Sequence, residues 1–406
     1  MEEWKEYKLG EVTSILGDGI HGTPKYDDEG SIFFINGNNL ENGHIVIKDN
    51  TKRVSYEESL KHRKPLSERT ILVSINGTIG NVAKYNGEPC ILGKSACFFN
   101  VNESVDLKFI YYVVANNNFK NTITRLATGT TIKNVSLKTM REYSFMMPSL
   151  PTQQKIASIL SSLDDKIEVN RRINDNLEQQ AQALFDEWLS SSKTYKGVFN
   201  DIIQTTLTGD WGKENIEGNY THEVFCIRGA DIPQLCNGDK GKMPIRYILE
   251  KNYKTKQLRA NDLVVEISGG SPTQSTGRIC MITQSLLDRL GKDVVCTNFC
   301  RAITPMEGYA TFIFLYWQLL YHKNIMFSYE NGTTGIKNLN ISDFLSKEVI
   351  DIPTADEVKR LNTILRPIYN QIYANGLQNE MLSTLRDTLL PKLMSGELSV
   401  EDVLVD

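Results

Sequence analysis

This 406-residue sequence has little of anything that would mark an extreme class. Glycine and proline are not in excess, at 28 and 12 residues, and no Pro-Pro pair occurs, which excludes collagen-like and low-complexity chains. No long hydrophobic run is present: the most apolar stretch, residues 312–320, is about half the ~20 residues a membrane helix needs. The seven cysteines (Cys90, Cys97, Cys226, Cys236, Cys280, Cys296 and Cys300) are odd in number and irregular in spacing, which argues for reduced thiols rather than a disulfide framework. Met1-Glu2-Glu3-Trp4-Lys5 shows no basic segment leading into an apolar one, as a secretory signal would. A cytoplasmic protein with no membrane association is expected. Charge of one sign is also missing, with 45 Lys and Arg against 49 Asp and Glu. That balance speaks against indiscriminate binding of nucleic acid through charge, but pooled charge hides local patches.

Catalytic signatures are absent too. A phosphate-binding loop has four residues between its first glycine and Gly-Lys-Ser, so that successive amides converge on the phosphates. Gly87-Glu88-Pro89-Cys90-Ile91-Leu92-Gly93-Lys94-Ser95 has five, and its proline deletes one amide, so it reads as a strand connection. His222-Glu223 has no second histidine four residues on, and His21 and His44 have no visible partners. Cys296-x-x-x-Cys300 lacks a matching pair for a metal and reads as two thiols on a strand. Glu357-Val358-Lys359 resembles a nuclease fragment but falls on a helix without a spaced acidic partner. The adenine methyltransferase motif, which needs Pro-Pro, cannot occur.

An internal repeat is present. Gly129-Thr130-Thr131-Ile132-Lys133-Asn134 returns as Gly332-Thr333-Thr334-Gly335-Ile336-Lys337-Asn338. Phe34-Ile35-Asn36-Gly37 aligns with Cys226-Ile227-Arg228-Gly229, and Ile71-Leu72-Val73-Ser74-Ile75-Asn76-Gly77 with Leu263-Val264-Val265-Glu266-Ile267-Ser268-Gly269. Phe109-Ile110-Tyr111-Tyr112 answers Phe312-Ile313-Phe314-Leu315, and Leu150-Pro151-Thr152 answers Ile352-Pro353-Thr354. One plan of roughly 200 residues is therefore used twice.

In each copy short β-branched and aromatic runs alternate with Asn-Gly, Gly-Asp and Gly-Thr turns, a strand-and-turn texture. The texture then changes. Ile156, Leu160, Leu163, Ile167, Leu177, Ala181, Leu184 and Trp188 fall on steps of three and four, which predicts one long helix over 155–189 with Thr152 as its N-cap. Val358, Leu361, Leu365, Ile368, Ile372, Leu382, Leu389 and Leu393 predict a second, with a kink or break at Pro367 and Gly376. Helices of ~50 to 60 Å exceed what a compact domain of this size needs, which favours spacer or partner-binding roles. Asn170 and Asn174 interrupt the first seam, Asn375 and Asn379 the second. In an antiparallel pair these polar layers would meet and fix the register.

Segment charges sharpen the picture. Residues 1–150 hold 18 basic and 17 acidic residues and 196–353 hold 17 of each, whereas 151–195 and 354–406 are acidic, 5 against 7 and 5 against 8. The basic residues, including the runs at 61–64 and 251–259, therefore sit in the strand-rich units.

With these features the chain resembles, over essentially its full length, the specificity subunit of type I restriction-modification systems. The likeness is carried by Gly19-Ile20-His21-Gly22-Thr23-Pro24-Lys25-Tyr26, by Gly129-Thr130-Thr131-Ile132, by Leu150-Pro151-Thr152-Gln153-Gln154-Lys155-Ile156-Ala157, and by Leu385-Arg386-Asp387-Thr388-Leu389-Leu390-Pro391-Lys392-Leu393-Met394-Ser395-Gly396-Glu397-Leu398. Pro353-Thr354-Ala355-Asp356-Glu357 departs from the usual glutamine-rich helix start. The resemblance implies an α+β protein: target recognition domains over 1–151 and 196–353, separated by spacer helices over 152–195 and 354–406 that pair as an antiparallel coiled coil. It implies a non-catalytic chain that reads a bipartite site on double-stranded DNA. Two modification subunits using S-adenosylmethionine would methylate adenine, and a restriction subunit using ATP and Mg would add cleavage. No cofactor or metal is implied for this chain itself.

Recognition surfaces at the ends of such helices would lie roughly one to one and a half DNA turns apart. Base edges are read by Arg, Asn and Gln, and phosphates by amides and hydroxyls. The candidates are Asn36, Asn38, Asn39, Asn76, Thr78, Lys94 and Lys133 in the first domain, and Arg228, Ser268, Ser271, Gln274, Thr276, Arg278 and Lys337 in the second. Two other classes stay open, a coiled-coil scaffold whose globular units bind protein and a catalytic methyltransferase or nuclease chain. The glycine-rich loops with base-reading residues oppose the first, the missing motifs the second.

Overall fold

The computed structural model describes residues 4–48, 50–129, 132–271, 274–332 and 337–403. Of the repeated Gly-Thr-Thr motif, residues 130–131 and 333–336 fall outside these. The chain forms two compact units, residues 1–165 with 383–406, and residues 166–382.

In the first unit a four-stranded antiparallel sheet runs in the order Thr13–Asp18, Ala96–Val101, Thr70–Ser74, Val82–Lys84. A second sheet orders Arg53–Val54, Ile32–Ile35 and Cys90–Leu92, the last two in parallel. Thr70–Ser74 is buried at every position. Its Ile71 and Val73 join Phe109 in one core while Leu72 joins Ile35 and Leu92 in another. Both faces are covered, which is why the strand reads as an unbroken apolar run rather than an alternation. Asp106 caps the helix Leu107–Ala115, accepting from the Phe109 amide at 2.8 Å.

The second unit repeats this plan. Its antiparallel sheet orders Ile203–Thr208, Cys300–Pro305, Leu263–Glu266 and Ile279–Met281, and its companion orders Ile245–Leu249, Tyr220–Ile227 and Val294–Cys296, again ending in a parallel pair. The apolar run at 312–320 lies in the helix Ala310–His322, with Phe312, Ile313 and Trp317 in the core and the Trp317 indole N–H donating to the Gly277 carbonyl at 2.7 Å. No helix among the described residues is long and apolar enough to cross a membrane.

The long helices are Leu150–Ser191 and Ala355–Ser395. The first begins before the expected N-cap: Thr152 lies inside it, and Pro151 sits in the first turn, where its missing N–H costs nothing. Gln153 explains the glutamine of the helix-start motif. Only 2% exposed, it accepts from the Asp106 amide at 2.9 Å and donates to the Pro148 carbonyl at 2.9 Å, tying the helix start to the cap of Leu107–Ala115. In the second copy Ile352 and Pro353 still belong to the strand Val349–Pro353, which pairs with Thr194–Val198, so the helix starts later and has no glutamine there.

The two asparagine layers meet as expected. Asn170 Nδ2 donates to Asn379 Oδ1 at 2.9 Å, and Asn375 Nδ2 to Asn174 Oδ1 at 2.7 Å, so numbering rises on one helix as it falls on the other. In the first unit Arg386 pairs with Asp164 at 2.7 Å, and Asp164 also accepts from the Tyr112 hydroxyl at 2.6 Å. Most of both expected seams is buried, but Leu184 is 38% exposed and Phe185 takes its place in the core. The expected break in the second helix does not occur. Pro367 and Thr363, the residue whose carbonyl it leaves without a donor, are both exposed, so water can replace the lost bond. Gly376 has a different reason to be glycine: a Cβ there would lie 2.0 Å from the Gly238 carbonyl oxygen. The Asn237-Gly238 turn is pressed against the helix, with Asn174 Nδ2 donating to the Asn237 carbonyl at 3.0 Å.

Helix propensity alone makes Gly376→Ala stabilising by about 1 kcal/mol. The contact with Gly238 reverses the sign, and the substitution is expected to lower stability by about 1–3 kcal/mol in chemical denaturation.

Candidate nucleic-acid interface

In the first unit the turn 93–95 links the parallel strand Cys90–Leu92 to Ala96–Val101. A strand, not a helix, follows the Gly-Lys-Ser, which agrees with reading that segment as a strand connection. The Gly93 amide donates to the Ile35 carbonyl at 2.8 Å, and the Ile75 amide to the Ser95 carbonyl at 2.9 Å. The Val135 amide donates to the Ile75 carbonyl at 2.8 Å, which fastens the segment after the Gly-Thr-Thr motif. Gly19 passes so close that a Cβ would sit 2.0 Å from the Leu92 carbonyl. These links frame an open depression of about 430 Å³ lined by Asp18, His21, Asn76, Lys94 and Asn134. His21 pairs with Asp18 at 2.8 Å, and Asn76 Nδ2 reaches Asn134 Oδ1 at 3.4 Å.

The second unit builds the same frame. The Thr297 amide donates to the Ile227 carbonyl at 2.9 Å, Ile267 to Phe299 at 2.9 Å and Leu339 to Ile267 at 2.9 Å. Gly209 approaches as Gly19 does, a Cβ there lying 2.1 Å from the Cys296 carbonyl. Residues 93, 94 and 95 thus correspond to 297, 298 and 299. Ser74 corresponds to Glu266, and each organises its loop: the Ser74 hydroxyl donates to the Thr78 carbonyl and accepts from the Asn81 amide at 2.8 Å, while the Glu266 carboxylate takes both forks of Arg278 at 2.8 and 2.6 Å.

The expected site residues divide accordingly. Lys94, Lys133, Asn38 and Thr78 are exposed, Asn76 is half-buried, and Lys94, Lys133, Asn76 and Thr78 stand around the depression or on the loops bordering it. Asn36 is half-buried and accepts from the Ser95 hydroxyl at 2.9 Å. Asn39 is 4% exposed and spends its amide on the Val46 carbonyl and Thr51 hydroxyl, at 3.0 and 3.1 Å, leaving nothing for a base edge. In the second unit Gln274 is exposed, Ser271 accepts from its amide at 3.0 Å, and Ser268 stands opposite Asn338 in a short strand pair. Thr276 is fully buried and donates to Glu330 at 2.9 Å, and Lys337 pairs with the same carboxylate at 2.9 Å.

Arg228 and Arg278, the strongest candidates by residue type, are committed elsewhere. Arg228 holds Asp231, 2% exposed, at 2.9 and 3.0 Å, and Arg278 holds Glu266, 4% exposed. The hydrogen bonds that the two guanidiniums donate to Asp231 and Glu266 push both of their pKa values up. Each fork that would match a guanine instead braces a loop. Asn298 and Phe299 were not anticipated; both are exposed, Phe299 by 56%. Aligning Thr297-Asn298-Phe299 with Gly93-Lys94-Ser95 would have found them.

Much of the basic charge is also spent. Lys61 and His62 pair with Glu58, whose carboxyl Lys61 and the Lys25 amide hold down at about 2. Lys254 pairs with Glu250, and Lys256 donates to the Gly209 carbonyl at 2.9 Å. Burial pushes Cys300 up to about 11 and Cys296 higher still, so both are core thiols, and no group of three or more metal-ligating side chains occurs among the described residues.

The family described as type I restriction modification DNA specificity domain matches residues 1–179. The MjaIX specificity subunit of Methanocaldococcus jannaschii is 25% identical over 99% of this chain and 95% of its own length. The HindI specificity subunit of Haemophilus influenzae is 22% identical over 98% of this chain and 100% of its own. Residues 1–179 thus match that family, and nearly the whole chain is similar to type I specificity subunits. The crystal structure of the S subunit from M. genitalium shares the fold, with a TM-score of 0.50 at 20% identity, covering 97% of this chain and 96% of that one. A specificity subunit selects the DNA sequence and is not catalytic, in keeping with the lack of catalytic motifs in the sequence.

The division between bracing and exposed residues in this chain is measurable. Arg278→Ala strands the buried Glu266 carboxylate and is expected to cost about 3 kcal/mol of stability. Lys94→Ala should change stability by no more than about 0.5 kcal/mol. Equal effects on the unfolding midpoint would contradict the assignment.

Proposed function

We propose that this subunit reads a bipartite site on double-stranded DNA, each strand-rich unit taking one half, and so directs adenine methylation and restriction by partner subunits. The observation that carries this reading is the frame built twice with different side chains exposed on it. Lys94 and His21 stand where the second copy shows Asn298 and Trp211. One chain with two such surfaces suits two different half-sites.

The helices are the place for partners. Their buried seams leave Val169, Ile173, Ile364, Met381 and Leu385 exposed by 40 to 61%, apolar surface for two modification subunits to cover. S-adenosylmethionine would be used by those subunits, ATP and Mg by a restriction subunit. The site of action is the cytoplasm, where the DNA is. A pure protein-binding scaffold explains the helices but not the two divergent surfaces.

Methylation mapping of a host genome with and without this gene tests the reading. A two-part adenine-methylated motif should be present with the gene and vanish without it. An unchanged methylation pattern would contradict the proposal.

A further inference from the structure

The two surfaces share a backbone and differ in chemistry, and that difference bears on which bases they take. The inference rests on the reading above and deepens it.

In the first unit Ser95 turns inward, its hydroxyl donating to Asn36 at 2.9 Å and accepting from the Gly37 amide at 2.9 Å, so the turn shows only Lys94. Lys94 is exposed and makes no ion pair among the described residues. In the second unit the place of Asn36 is held by Arg228, whose fork is occupied by Asp231 and which also donates to the Lys242 carbonyl at 2.8 Å. No acceptor is left for a residue at the Ser95 position, and that position is Phe299, turned outward on a backbone fixed by the Ile267 amide. Beside it in sequence, the carboxamide of Asn298 is exposed and has no hydrogen-bond partner among the described residues. Trp211, at the His21 position, is 37% exposed and held in place by the Arg246 guanidinium 3.6 Å from its ring centroid. The nearby Lys337 is paired with Glu330, so this surface offers an amide and aromatic rings where the first offers a free ammonium.

Base edges distinguish these chemistries. An ammonium suits the paired acceptors O6 and N7 of guanine. A carboxamide both donates to N7 and accepts from N6 of adenine, and an apolar ring packs on the thymine methyl. We infer that Asn298 and Phe299 read an A·T base pair, or two adjacent ones, in the half-site of the second unit, while Lys94 reads a guanine in the half-site of the first. An exposed ring beside a free carboxamide on a hydrogen-bonded turn is the juxtaposition this requires.

The test uses the full chain assembled with its modification subunits, methylating a randomised DNA pool that is then sequenced. Asn298→Ala should relax the preference for adenine at one position of one half-site by roughly 5- to 100-fold, and Lys94→Ala the preference for guanine in the other half. Phe299→Ala should relax thymine at a neighbouring position. Deoxyuridine in place of that thymidine removes only the methyl group and needs no altered protein. It should slow the unmodified complex by the same factor as Phe299→Ala and have no further effect on the variant. If the unmodified complex yields no split motif, the proposed function fails. If it yields one and the variants leave both halves unchanged, or weaken both halves equally, the function stands and this assignment is overturned.

Discussion

The proposed recognition surfaces depend on one constraint, the main-chain hydrogen bonds that bind three separated segments into a rigid turn. In both units an amide from the middle of the chain copy (Ile75, Ile267) donates to the turn, and an amide from its end (Val135, Leu339) donates back to that same residue. Gly19 and Gly209 pass where no Cβ could fit. Main-chain bonds are indifferent to side chains, so the residues displayed can change without cost to the frame. That is the property a protein needs if it must evolve new specificities on an old fold.

What does respond to side chains is the bracing behind the turn. Ser74 and Glu266 occupy one position and solve one problem differently, a small hydroxyl satisfied by nearby backbone in one case, a buried carboxylate matched to a guanidinium in the other. The helices follow the same logic of polar groups placed for register rather than strength. Leucine at Asn174 would slide as easily one turn along; Asn174 accepts from Asn375 and donates to both the Asn237 and Ile372 carbonyls, and only one alignment satisfies all three.

The repeat, the helices and the meeting of the asparagine layers were legible in sequence because periodicity and self-similarity survive without coordinates. Leu184 and Phe185 show the limit: both fit the stripe, and only packing against Phe312 and Tyr316 selects the phenylalanine. Gly376 read as a helix weakness because its cause, the turn at Gly238, is far away in the chain. The site was less legible for a similar reason. Arg228 and Arg278 were selected for their chemistry, but whether a guanidinium is free depends on a carboxylate's burial, and the burial of Asp231 and Glu266 is a tertiary fact. Asn298 and Phe299, the residues proposed for the second surface, lie outside the glycine-rich loops, and only the register of the repeat gives them the positions of Lys94 and Ser95.

Photo-crosslinking tests the central claim, one frame presenting both surfaces to DNA, most directly. A photoreactive residue would replace Lys94, Phe299 or, as a control on another exposed part of the second unit, Ile216, in the complex bound to its site. Crosslinks from positions 94 and 299 to opposite halves of the split site, with none from 216, are predicted. Crosslinks from 216 alone, or from 94 and 299 to the same half, would contradict the account.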